Sequence, residues 1–178
     1  MMRKLKLDEL NRVSVSEFKV QEKIPLIVVL ENIRSLNNVG TIFRTSDAFK
    51  VEAIYLIGIT AKPPHREIQK TALGATESVA WEYFDTSQEM IDKLKANDFF
   101  IGSIEQTEGS TDIHKIANLP IKKLAIIMGN EVSGVEQTTI DQSDVCIEIP
   151  QYGTKHSLNV GVCAGIVIWE SFKLLNQR

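Results

Sequence analysis

Residues 26–44 read LIVVLENIRSLNNVGTIFR, and the change of period inside this stretch decides the fold. Leu26 to Leu30 form a continuous apolar run, the pattern of a strand buried on both faces. Beyond Asn38 the period lengthens, and Val39, Ile42, Phe43 and Ala48 fall near one face of a helix over 38–49. A strand that feeds a helix directly is the first half of a βαβ unit. The alternation continues downstream. Short apolar runs recur at 53–57 (AIYLI), 99–104 (FFIGSI), 124–128 (LAIIM) and 145–149 (VCIEI). A second helix over 86–97 carries Met90, Ile91 and Leu94, and Thr86 with Glu89 three residues on has the spacing of a capping box. The fold class expected is α/β, a mainly parallel sheet flanked by helices.

Composition agrees with one globular domain. The chain has 178 residues, 43% hydrophobic and 24% charged, enough to bury a core without disulfide staples. Cys146 and Cys163 lie in apolar surroundings, where thiols act as small hydrophobes in a reducing compartment. The start, MMRKLKLDEL, lacks an apolar h-region, and the stretch Val160 to Trp169 is too short to cross a bilayer. A cytoplasmic protein without membrane contact is expected. Residues 1–24 are polar with scattered Leu5, Leu7, Leu10 and Phe18, and read as an arm preceding a domain over 25–178.

The net charge of −3 argues against bulk, non-specific binding to phosphate backbones. Charge is polarised along the chain, however. Lys62, Arg66 and Lys70 against Glu67 give a local surplus of cations, whereas residues 128–150 hold five acids and no Lys or Arg. A helix from Ser157 to about Leu175 is apolar around nearly its whole circumference, so it needs cover on every side. Cover from a second subunit is expected, the alternative being a helix sandwiched within one chain.

Several chemistries are absent. There is no P-loop, no G-x-G-x-x-G and no G-x-S-x-G. His65, His114 and His156 lack partners at zinc-ligand spacing, so no metal is expected. Three segments carry polar and glycine residues beyond the needs of a core. After the first strand, Asn38 can cap the next helix and Arg44 can reach back from it. After the run at 124–128, Gly129-Asn130-Glu131-Val132-Ser133-Gly134 permits tight turns at a strand's carboxyl end. Between 149 and 160, Ser157 suits an N-cap, and Asn159 in an apolar first turn demands a defined partner.

The motifs N-x-G-x-x-x-R (Asn38 to Arg44), G-N-E-x-x-G (Gly129 to Gly134) and I-P…S-L-N-V (Ile149 to Val160), in this order, resemble those of the SpoU/TrmH family of RNA ribose 2′-O-methyltransferases in the SPOUT superfamily. Gln151-Tyr152 stands where many members have Met beside the Pro, and Lys155-His156 precede the Ser. The resemblance implies a carboxyl-terminal trefoil knot that binds S-adenosylmethionine, in a homodimer formed through the last helix. General rules disfavour threaded chains, so only the resemblance supports the knot.

By the same resemblance, Gly129, Ile149, Leu158 and Ser157 hold the cofactor, with Ser103-Ile104 closing the pocket. Asn38, Arg44, Glu131, Ser157 and Asn159 form the catalytic surface, with Glu131 and Asn159 orienting Arg44. Arg44, Lys62, Arg66 and Lys70 meet the RNA. The guanidinium has a pKa above ~12, so gripping phosphate and stabilising developing alkoxide charge suits Arg44 better than acting as a base. Transfer RNA is favoured over ribosomal RNA because only some 24 residues precede the domain. The competing classes are a non-catalytic RNA-binding protein of the same fold and an unrelated flavodoxin-like nucleotide-binding domain.

Overall fold

A computed structural model describes residues 2–176; Met1 of the arm and residues 177–178 of the domain lie outside the described residues. Seven strands form one sheet: β1 (Ile24–Glu31), β2 (Val51–Ile57), β3 (Ala80–Phe84), β4 (Phe100–Ile104), β5 (Thr111–Asp112), β6 (Leu124–Met128) and β7 (Val145–Glu148). Their order is β3-β2-β1-β6-β4-β7-β5, with every pairing parallel. The helices are α1 (Val15–Val20), α2 (Leu36–Ala48), α3 (Arg66–Ala72), α4 (Ala75–Ser78), α5 (Ser87–Ala96), α6 (Gln137–Ile140) and α7 (Val160–Leu175). All five expected strands are present.

The two-residue period of β1 divides the core. Leu26, Val28 and Leu30 face a cluster built with Val39, Ile42 and Phe43 of α2 and Ala164, Val167 and Ile168 of α7. Ile27 and Val29 face the opposite cluster, with Met90, Ile91 and Leu94 of α5. Covering a parallel sheet on both faces is what made its strands read as unbroken apolar runs.

Two expected caps are corrected. Asn38 does not cap α2: the helix starts at Leu36, and Ser35 Oγ accepts from the Asn38 N–H at 3.3 Å. Ser157 does not cap α7: Asn159 does, its Oδ1 accepting from the N–H groups of Gly161 (2.9 Å) and Val162 (3.2 Å). In both cases a neighbouring polar residue lies closer to the true start of the helix, leaving the expected one to face elsewhere. Thr86 caps α5 as expected, accepting from Glu89 N–H. The arm forms a 3₁₀ turn at Leu7–Leu10 and then α1, whose Phe18 is buried.

Alpha7 is also less uniform than its sequence. Val160, Ala164, Val167 and Ile168 are buried within the chain, whereas Val162, Ile166 and Trp169 are 56%, 37% and 45% exposed. Their spacing of four and three residues places them on one stripe. Phe49 packs against Trp169 and Phe172 beside it, with centroids 5.5 and 5.3 Å apart.

Gly40, the glycine of the first motif, serves packing. A Cβ there would stand 2.3 Å from the Ile68 carbonyl oxygen and 2.1 Å from Thr71 Oγ1, so α3 can lie on α2 only over a bare Cα. Gly40→Ala is expected to lose about 1–3 kcal/mol by overpacking. Urea unfolding measures this directly, and an unchanged midpoint would contradict the close approach.

Candidate active site

The carboxyl ends of β4, β6 and β7 open onto a cavity of about 630 Å³, lined among others by Ile104, Met128, Gly129, Ile149, Ser157 and Leu158. In open parallel sheets this edge is where ligands bind, and the volume suits a small organic ligand. The four residues expected to hold the cofactor therefore share one cavity. Ile104 lines it too, but Ser103 is fully buried with its hydroxyl on Ser143, so only Ile104 can close the pocket.

The loop after β6 turns back on itself. Asn130 and Gly134 exchange two backbone hydrogen bonds of 3.0 and 2.9 Å. A Cβ on Gly129 would lie 2.2 Å from backbone atoms of Gly134 and Val135, and one on Gly134 would meet Glu105 Oε2 at 2.1 Å. Only glycine permits this closure. Asn130 Oδ1 accepts from Val132 and Ser133, and Asn130 Nδ2 donates to the Asn32 carbonyl at 2.7 Å.

Glu131 then faces the amino end of α2. Its carboxylate accepts from the N–H groups of Arg34 and Ser35, both at 2.9 Å, and from Asn38 Nδ2 at 3.1 Å. Asn38 Oδ1 in turn accepts from Asn159 Nδ2 at 3.2 Å. A continuous relay thus joins the loop after β6, the start of α2 and the cap of α7, so three motifs distant in sequence meet. Burial pushes the Glu131 carboxyl up, but the Arg34, Ser35 and Glu131 N–H groups and the Asn38 amide outweigh it and hold the group below its ordinary range. Cys163, on the cavity wall, is pushed up to about 11 by burial, with the Glu105 charge adding to it. Its thiol stays protonated at neutral pH and is no nucleophile.

Arg44 stands apart. It is exposed on α2, outside the cavity wall, and forms no ion pair among the described residues. Glu131 and Asn159 bond to Asn38 and not to Arg44, which six residues carry about 9 Å further along the helix. Ser157 is exposed on the cavity rim. In the expected basic patch, Lys70 is paired with Glu67 at 2.8 Å, and Lys62 sits 3.9 Å from the centroid of the Tyr83 ring. Lys62 and Arg66 remain exposed. Sequence reasoning missed Ser35, Asn32 and Glu105 as supports of the loops, although Asn32 and Glu105 follow directly on the ends of β1 and β4 and Ser35 immediately precedes α2.

The model of the SpoU rRNA methylase family matches residues 25–169, which include every residue of this relay. The chain belongs to that family. Among curated relatives, the 23S rRNA (guanosine-2′-O-)-methyltransferase RlmB of Neisseria meningitidis is 31% identical over 83% of this chain and 58% of its own. The chain spans 58–64% of the length of the curated relatives it matches first. Among solved structures, an A. aeolicus TrmH/SpoU tRNA modifying enzyme superposes with a TM-score of 0.80 at 26% identity, covering 92% of this chain and 81% of that one. An AdoMet-bound rRNA methyltransferase from Sinorhizobium meliloti gives 0.79 at 27% identity, with 92% and 62% covered. The SpoU fold of this chain is thus a mainly parallel α/β sheet flanked by helices, as expected.

Because Glu131 titrates lower when folded than when unfolded, its contribution to stability is full above the ordinary carboxylate range, about pH 4. The contribution is lost as pH falls through the depressed folded value. Glu131→Gln is therefore expected to melt below the wild type at neutral pH, with the gap closing only in strong acid. Melting curves at stepped pH check this, and a gap independent of pH would contradict it.

Proposed function

We propose that this chain transfers a methyl group from S-adenosylmethionine to a ribose 2′-hydroxyl of structured RNA. The observation that carries the reading is the Glu131–Asn38–Asn159 relay at the rim of the cavity. It unites the three motif segments on a surface that has the cavity on one side and, on the other, Arg44, which has no ion pair among the described residues. The cavity fits the cofactor in chemistry as well as size: apolar Ile104, Met128, Ile149 and Leu158 accompany the exposed backbone of Gly129. The S. meliloti relative, whose structure holds AdoMet, supports this choice.

Adenosylmethionine, when bound, supplies an already activated methyl group. The chain's own residues position the acceptor. Asn38 and Asn159 present amides toward the ribose, with Glu131 fixing the Asn38 side chain. Arg44 grips the neighbouring phosphate and stabilises charge developing on the oxygen as its proton leaves. Ser157 on the rim holds the phosphate or the hydroxyl. Much of the rate then comes from positioning. The exposed Lys62 and Arg66, with Lys70 beside its Glu67 partner, extend the RNA surface.

That the RlmB relative is a guanosine-2′-O-methyltransferase supports the ribose site. Transfer RNA is proposed ahead of ribosomal RNA, in keeping with the likeness to the A. aeolicus tRNA modifying enzyme, although rRNA enzymes stand among the similar proteins too. The functional unit proposed is 25–178, with 1–24 as an arm, acting in the cytoplasm; the free thiols of Cys146 and Cys163 suit its reducing conditions. No described helix is long and apolar enough to cross a membrane. The knot is proposed as well, supported by a central β6 that enters between β1 and β4 and by a chain that returns from the sheet's far side to lay α7 beside α2.

Incubation with labelled adenosylmethionine and separate tRNA and rRNA fractions, followed by nucleoside analysis, tests the activity. Label in 2′-O-methylnucleosides from tRNA is expected, and label confined to bases would overturn the ribose reading. Arg44→Ala is expected to lower turnover at least about 100-fold, the scale of one oxyanion donor, while calorimetry finds adenosylmethionine affinity within about threefold. Arg44→Lys should also be poor, because an ammonium cannot form the bidentate grip.

A homodimer through α7 completes the proposal. Its exposed stripe of Val162, Ile166 and Trp169 supports this, whereas Val167 and Ile168 are buried in the chain itself. Ile166→Asp is expected to give a folded, inactive monomer in light scattering, since an unpaired charge in an interface is strongly destabilising. A dimer that survives the change would refute this interface.

A further inference from the structure

Glu31 is, among the described residues, a fully buried carboxyl that no motif explains. It ends β1, one residue before the segment that leads to α2, and forms no ion pair among the described residues. Such a group is tolerated only when donors surround it. Three do: Ser87 Oγ at 2.8 Å and Thr139 Oγ1 at 2.6 Å on one oxygen, and the Glu136 N–H at 2.8 Å on the other. Glu136 is the residue that follows the cavity loop.

Asn32, next in sequence, holds the same loop from two more directions. Its carbonyl accepts from Asn130 Nδ2 at 2.7 Å, and its own Nδ2 donates to Glu136 Oε1 at 2.8 Å. Its Oδ1 accepts from the Ile59 N–H at 3.1 Å, anchoring the side chain to the segment after β2. Asn32 has a φ of +55°, a left-handed conformation that Asn adopts more readily than most residues. The dipeptide therefore grips both ends of the loop, Asn130 and Glu136, while the loop's middle carries Glu131 to α2.

We propose that Glu31 and Asn32 are positioning residues that hold the 130–136 loop in the shape that receives the cofactor. The inference rests on reading the cavity as the adenosylmethionine site. Neither residue lines the cavity, so their influence passes through the loop backbone. The clamp also accounts for the loop's internal order: the N–H groups of Asn130, Val132, Ser133, Gly134, Val135 and Glu136 all have acceptors. Loosening either end exposes these amides before it disturbs the sheet.

The test reads both links on the full chain. Amide hydrogen exchange of the ligand-free protein measures the clamp, and calorimetry with adenosylmethionine measures its consequence. Asn32→Asp keeps the left-handed conformation but sets a carboxylate against Glu136, and should speed exchange at 130–136 and weaken adenosylmethionine binding, each about tenfold. Glu31→Ala should act likewise. Glu31→Gln should stay within about threefold of wild type, because its oxygen can accept from Glu136 N–H while its amide donates to the Ser87 and Thr139 hydroxyls.

Ser87→Ala, which removes a donor from the same carboxyl on the α5 side, should leave the loop's exchange unchanged. Unaltered exchange at 130–136 in Asn32→Asp, or an equal rise throughout the sheet, would overturn the clamp. Faster loop exchange with unchanged affinity would overturn its link to the cofactor. If the wild type binds no adenosylmethionine, the reading of the cavity falls instead, and exchange still decides the clamp.

Discussion

The carboxylate of Glu131 binds the amino end of α2 to the loop after β6, and the arrangement of the site depends on that contact. Two backbone N–H groups and one side-chain amide converge on it. The Arg34 and Ser35 N–H groups lie just ahead of the first turn of α2, where the helix end favours a negative charge, so the loop is held where its carboxylate is stabilised. Asn38 is thereby turned toward Asn159, and the cap of α7 is brought into the same network. The Glu131 contact thus adds the middle of the β6 loop to the surface that Asn38 and Asn159 share.

The sheet supplies the rigid frame for this meeting. Parallel strands end together, so the loops after β1, β4, β6 and β7 emerge at a single edge regardless of their separation in sequence. The two glycines of the β6 loop let its backbone fold flat against Glu105 and Val135, which leaves the cavity open beside it. Asn38 and Arg44 ride on α2 and Asn159 caps α7, and the loop after β6 that carries Glu131 is itself bonded nearly residue by residue. Such preorganisation suits a reaction whose rate depends on positioning.

Much of this was legible in the sequence because burial leaves a periodic trace. Strands covered on both faces appear as apolar runs, and the five found that way were the five central or near-central ones. Beta3 escaped because its outer residues Ala80 and Glu82 face solvent at a sheet edge, and β5 because two residues have no period. The caps were misread by two or three positions, Asn38 for Ser35 and Ser157 for Asn159, since several good capping residues stand in a row and only tertiary contacts select one. For the same reason the sequence could name Glu131, Asn38 and Asn159 together but not their connections. Their bonds cross about a hundred residues of chain, and local pattern carries no information on which amide meets which carboxylate. The apolar circumference of α7 likewise concealed a division between an inner face and an outer stripe.

The position of β6 has a consequence for how the chain acquires its shape. Leu26 pairs with Leu124 and Leu30 with Met128, while β4 lies on the other flank of the same strand. The two halves of the sheet are therefore joined late: β1, β2 and β3 can associate as they leave the ribosome, but nothing joins them to β4 until residues 124–128 exist, and β5 joins through β7 later still. Pairings this distant in sequence slow folding, because loop-closure entropy is lost before contacts compensate for it. During that interval β1 presents an unpaired edge, apolar from Leu26 to Leu30, to its surroundings, which is the surface that aggregation exploits. A chain arrested before residue 124 would be a ready client for a chaperone that binds exposed strands.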